Sequence, residues 1–135
     1  MTRSRALASL GALAVTTAFA GCMGQNPNTP KGPPTTIIDV RETEMKIDPK
    51  NVTIDEPRVV EFRVHNAGHV VHALEIEGPT GEVETDQIPN GMSATLTANL
   101  NRPGKYKWYC PVGDHEAQGM TGTVTVRGPD RAERQ

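Results

Sequence analysis

The chain has 135 residues, 36% of them hydrophobic, with a formal charge of −2 and two cysteines. That length suits one domain with appendages. No basic patch interleaved with aromatics occurs, which argues against nucleic acid as a partner.

The chain opens on "MTRSR" followed by "ALASLGALAVTTAFA", two arginines and then an uncharged run ending at Ala20. This is the pattern of an export signal, too short for a comfortable membrane span. The junction "FAGC" (Phe19–Cys22) resembles a lipobox, the cleavage site of bacterial lipoproteins. The reading is a signal peptide over 1–21 and an acylated Cys22 that anchors the protein without a spanning helix. Residues 22–35, "CMGQNPNTPKGPPT", are polar and proline-rich, as a semi-rigid tether requires. Cleavage removes Arg3 and Arg5 and no acid, so the formal charge moves from −2 to −4. With Cys22 lipidated, Cys110 has no disulfide partner, and a lone thiol in an oxidising compartment needs another reason to exist.

From Thr36 to Val126 the pattern has period two. Val60, Phe62 and Val64 alternate with Glu61, Arg63 and His65; Ala94, Leu96, Ala98 and Leu100 with Thr95, Thr97 and Asn99. Tyr106, Trp108 and Cys110 then share a face, as do Val124 and Val126. Half-buried antiparallel strands read this way. Turn residues recur between them, at Asp48-Pro49, Glu56-Pro57, Asn66-Ala67-Gly68, Gly78-Pro79, Pro89-Asn90-Gly91, Pro103-Gly104 and Gly113-Asp114. The expectation is an all-β sandwich or barrel over 36–127 with no helix, and a frayed charged tail over 128–135.

The segment "YCPVGDHEAQGM" (109–120) gathers Cys110, His115 and Met120 on one loop. A thiolate, an imidazole and a thioether suit soft or borderline metals, above all copper. A further histidine must come from another strand. His65 sits on an outward face, and His69 follows Gly68 in a loop. His72 shares parity with Leu74 and Ile76, which aims its ring at the core end where Cys110 points. His72 is therefore favoured over His69.

"NAGHVVH" (66–72) followed by "PGKYKWYCPVGDHEAQGMTGTVTV" (103–126) resembles the cupredoxins, the blue-copper family of plastocyanin and azurin. The resemblance spans about residues 36–127 and implies a Greek-key sandwich of about seven to eight strands. It implies one type 1 copper ion held by His72, Cys110 and His115, with Met120 as a weak axial ligand. Two departures matter: Ala73 stands where plastocyanins and azurins have an asparagine that ties the two ligand loops together, and the Cys–His leg is longer than in plastocyanin. Both bear on site rigidity and spectrum rather than on metal binding.

The implied role is a one-electron carrier, not an enzyme, exported and lipid-anchored with its domain facing the periplasm or exterior. In the family the electron leaves through the loop histidine, here His115. Val70, Met92, Pro111, Val112 and Ala117 are expected to form an apolar patch around it, with Asp114 and Glu116 favouring a basic partner rim. A monomer docking briefly on c-type cytochromes or on copper or haem oxidoreductases fits this reading. The alternatives are a copper-delivery or storage protein and a non-redox binding sandwich. A binuclear copper centre needs a second loop cysteine, and Gly113 and Asp114 occupy the space for one.

Overall fold

The computed structural model describes Pro34 and residues 36–128. Cys22, the export segment, most of the tether and most of the charged tail lie outside the described residues. Among the described residues nine strands form two packed sheets: β1 (Thr36–Thr43), β2 (Lys46–Asp48), β3 (Asn51–Ile54), β4 (Arg58–Asn66), β5 (Glu75–Gly78), β6 (Gly81–Glu84), β7 (Ser93–Leu100), β8 (Gly104–Tyr109) and β9 (Thr121–Val126). One sheet runs β2-β1-β4-β7 and the other β3-β9-β8-β5-β6. The all-β sandwich expected from periodicity is the observed fold, and no helix occurs among the described residues.

The period-two stretches bury the predicted faces. Val60, Phe62, Val64, Leu96, Ala98 and Leu100 meet Tyr106, Trp108, Val124 and Val126 from the facing sheet. Phe62 and Trp108 pack edge to face, with ring centroids 5.7 Å apart. The two buried aromatics with polar tips are satisfied, as burial demands. Trp108 Nε1 donates to the Lys50 carbonyl at 2.8 Å, and the Tyr106 hydroxyl to the Arg102 carbonyl at 2.8 Å.

Three details differ from expectation. The sheets are mixed, because β1 runs parallel to β4 and β3 parallel to β9. The chain leaves one sheet after β2 and enters the other at β3, and this crossover sets β3 alongside β9. The described residues hold nine strands where about seven to eight were expected, since β2 and β6 are edge strands of three and four residues. Segments that short hold too few residues for alternation to register. The region from His72 is not a regular strand: β5 begins only at Glu75, and His72 makes an isolated bridge to Ile88. Ala73, Leu74, Glu75 and Ile76 are all buried, so parity does not sort that segment.

Candidate metal centre

Two loops at one end of the sandwich carry the candidate ligands. The first leaves β4 at Asn66, a fully buried residue whose side chain organises everything up to His72. Asn66 Nδ2 donates to the carbonyls of Val70 and Ile88, both at 2.8 Å, and Asn66 Oδ1 accepts the Gly68 amide at 2.8 Å. The His72 backbone is then pinned by a reciprocal pair with Ile88, at 3.2 and 2.7 Å.

The second loop leaves β8 at Cys110 and re-enters the sheet at β9. Its mouth is closed by the Cys110 amide on the Met120 carbonyl, and the Met120 amide donates to the His115 carbonyl, both at 3.1 Å. Successive turns fold the segment between them. Gly119 adopts φ +101°, a conformation that admits a side chain only with strain, and delivers Met120 into the core. Cys110, His72 and Met120 are completely buried, whereas His115 is half-buried.

The donor atoms converge. His72 Nδ1 lies 3.3 Å from His115 Nδ1 and 3.8 Å from Cys110 Sγ, and Cys110 Sγ lies 3.4 Å from His115 Nδ1. Among the described residues the other histidines do not join them. His65 bonds Ser93 Oγ on the outer sheet face at 2.9 Å, and His69 projects into solvent. The sulfur accepts the Ala73 amide at 3.4 Å. Burial pushes the Cys110 thiol pKa up and the nearby Glu42 charge adds to this, against hydrogen bonds from the Val112 and Ala73 amides. Burial and the His115 charge push the His72 pKa down, opposed by Glu44. Without a cation, the pocket favours a neutral thiol and a neutral imidazole.

A family model described as MSMEG_3727, PQQ-associated, matches residues 3–135. Plastocyanin from Sambucus nigra is 33% identical over 86 residues, covering 58% of this chain and 84% of that protein. The chain belongs to the MSMEG_3727 PQQ-associated family, and it is a cupredoxin. Solved structures share its fold, two auracyanins among them. Auracyanin B superposes with a TM-score of 0.66 at 20% identity, covering 73% of this chain and 94% of that one. Dithionite-reduced auracyanin from the photosynthetic bacterium Roseiflexus castenholzii gives 0.60 at 24% identity, covering 70% and 98%.

The residues of this cupredoxin fit a metal ion on geometry as well as on kinship. Three atoms with the separations above lie on a circle of radius about 2.0 Å, close to metal–imidazole bonds of about 2.0–2.1 Å and slightly under metal–thiolate bonds of about 2.3 Å. His72 Nε2 is buried without a hydrogen-bond partner among the described residues. If Nδ1 takes a ligand's role, Nε2 must carry the ring proton.

Several residues that shape this cupredoxin's centre carry no metal-binding signature in sequence. Asn66 reads only as a turn former. Glu42 is completely buried, and neither carboxylate oxygen has a hydrogen-bond partner among the described residues. Its parity with Val40 on β1 was the available signal. Trp108 and Tyr106 share the face of Cys110 as expected, but their polar atoms serve the Lys50 and Arg102 carbonyls; the bonds to sulfur come from backbone amides. Of the residues expected to form the apolar patch, Met92 is 58% exposed and Val70 43%, Pro111 and Val112 are half-buried, and Ala117 is exposed. Glu116 pairs with Lys107, so part of the negative charge expected beside His115 is neutralised.

Proposed function

We propose that this cupredoxin is a type 1 copper protein that carries single electrons at the outer face of a membrane, held there by a lipidated Cys22. The observation that carries the reading is the triangle of His72 Nδ1, His115 Nδ1 and Cys110 Sγ, with Met120 buried beside it by its bonds to Cys110 and His115. Copper in such a donor set supplies rapid one-electron exchange, since a trigonal site with a weak axial ligand lies between the preferences of its two oxidation states.

The chain's own residues supply rigidity and insulation. The reciprocal His72–Ile88 pair and the Asn66 side chain fix one ligand loop; the bonds of Cys110 and His115 to Met120 close the other. His72 and Cys110 are sealed from water, and His115 alone of the three reaches toward the surface. A copper-delivery protein needs exchangeable ligands, and two completely buried donors oppose that use. Four protein ligands would leave no position for a substrate, which supports a carrier over an enzyme.

Val70, Met92, Pro111, Val112 and Ala117 around His115 support a small apolar docking face, on the scale of redox encounters that bury under about 1,200 Å² in total. The partner classes are c-type cytochromes and copper or haem oxidoreductases. The family's description as PQQ-associated supports adding quinone-cofactor oxidoreductases to them. The test is to add cupric ion to the purified chain and record its visible spectrum. An intense thiolate-to-copper band, absent from Cys110→Ser, is expected; a colourless wild-type protein overturns the reading. Membrane fractionation of a Cys22→Ser form tests the anchor, and unchanged membrane association would overturn it.

A further inference from the structure

We propose that Glu44 is a positioning residue of the metal centre, its carboxylate bracing the backbone of the His72 loop and holding a fixed negative charge close to the outer nitrogen of the His72 ring. The inference rests on the copper reading above and deepens it.

Glu44 and Met45 form the two-residue connection between β1 and β2, where Thr43 faces Lys46. Met45 adopts φ 58°, a left-handed conformation that costs a residue with a side chain and persists where surrounding contacts impose it. This tight turn presents the Glu44 side chain to the loop that carries His72. Glu44 Oε1 accepts the amides of His69 and Val70, the latter at 3.3 Å. Glu44 Oε2 lies 3.5 Å from His69 Nδ1. Two consecutive amides, three and two residues before the ligand, are thus held by one carboxylate.

Gly68 shows how near that carboxylate comes to the ring. A Cβ at this position would stand 2.6 Å from Glu44 Oε1 and 2.9 Å from His72 Nε2. Both groups crowd the same small space, and only a residue without a side chain leaves it open. His72 Nε2 has no hydrogen-bond partner there among the described residues. Metal-bound histidines characteristically direct their second ring nitrogen at a carboxylate, carbonyl or water, which fixes the ring and raises its basicity. Hydrogen bonds from the His69 amide, its own amide and the Val70 amide hold the Glu44 carboxyl at about 2, so it is ionised at every working pH.

The arrangement also answers the departure at Ala73. The asparagine that would tie the ligand loops together is absent, and a tie arrives instead from the β1–β2 turn. It fastens the His72 loop to the first sheet.

The test uses the full chain, metal-free and copper-loaded, as Glu44→Gln, Glu44→Ala and Glu44→Asp. In the metal-free protein, hydrogen exchange at the His69 and Val70 amides should quicken roughly tenfold or more in Glu44→Ala, as loss of a charge-assisted bond implies. It should quicken less in Glu44→Gln, which keeps an acceptor oxygen. In the loaded protein the reduction potential should rise in both, because a nearby negative charge favours the more positive ion, and Glu44→Asp should recover part of each effect. A residue that merely stabilises its turn would alter melting without moving the potential. Unchanged exchange in Glu44→Ala overturns the brace, and an unchanged potential in Glu44→Gln overturns the role of the charge. If the wild-type chain takes up no copper, the functional reading fails and the charge role falls with it, while the exchange experiment still decides the brace.

Discussion

The Nδ1 atoms of His72 and His115 lie 3.3 Å apart although 43 residues separate them in sequence. Two ring nitrogens that close cannot both carry a proton without repulsion, and the buried Cys110 sulfur completes a triangle of donors with them. A cation at their centre removes that conflict. Copper should therefore stabilise the fold strongly: a ligand bound only by the native state, at a thousand times its Kd, adds about 4 kcal/mol. Calorimetric melting with and without cupric ion should show this gain in the wild type and lose most of it in His115→Ala.

The buried Glu42 carboxyl gives the metal-free protein a defined pH dependence. Burial raises its pKa from 4.5 to about 7, so the folded state holds a proton that the unfolded state has released. Below 4.5 both states are protonated and nothing is lost. As pH rises from there the penalty grows, and it is complete above about 7. A shift of this size corresponds to a cost of about 3 kcal/mol. In urea titrations, Glu42→Gln should match the wild type at pH 4 and exceed its stability at pH 8 by up to that amount. Equal differences at both pH values would show that the carboxyl ionises freely in the fold.

Phe62 is completely buried and meets Trp108 at an interplanar angle of 67°. Phe62→Ala removes that contact and leaves a cavity between the sheets, at an expected cost of about 3–5 kcal/mol. Phe62 contributes none of the ring, carboxylate or amide contacts that hold the two ligand loops. Denaturation midpoints should fall steeply, while the visible spectrum and potential of the loaded protein stay as in the wild type.

Ala73 follows His72 and is 2% exposed, with its amide on the Cys110 sulfur at 3.4 Å. Restoring the asparagine found there in plastocyanins and azurins inserts a polar group into a packed site already organised around alanine. Overpacking of this kind costs about 1–3 kcal/mol. Ala73→Asn should lower the melting temperature of the metal-free protein, and an unchanged or raised value would show that a cavity accommodates the amide.

Much of this centre was legible because strand alternation is a local rule. It aimed Cys110 inward beside Trp108, and it placed His65 outside. The structure brings His72, and not His69, to Cys110 and His115, yet no strand carries it there: β5 begins only at Glu75, and Ala73 and Glu75 are as buried as their neighbours. What fixes His72 is the Ile88 bridge and the Asn66 side chain, contacts across 16 and 22 residues that no local period encodes. The parallel pairings of β1 with β4 and β3 with β9 escaped for the same reason. Alternation reports which face is buried, and it is silent on which neighbour lies alongside. Glu44 left no trace at all, since an exposed acid in a turn is ordinary until the loop opposite is known.

The surface around His115 can be tested without knowing the partner, through electron self-exchange between two copies of the loaded protein. Val70 and Met92 are the large hydrophobic side chains that stand exposed at this end, and Val112 is half-buried there. If two molecules meet through this face, replacing Met92 by Gln and Val112 by Thr removes apolar contact on both sides and adds no charge. The neutral replacements matter because Asp114 is exposed and Glu116 is paired with Lys107, so an added charge would alter long-range steering as well as contact. Losing about 1.4 kcal/mol of association corresponds to a tenfold drop in encounter population. Line broadening in mixtures of oxidised and reduced protein should show self-exchange slowed by about that factor, at high salt as at low. An undiminished rate would mean that the electron leaves through another face, and the half-buried edge of His115 would then be incidental to transfer.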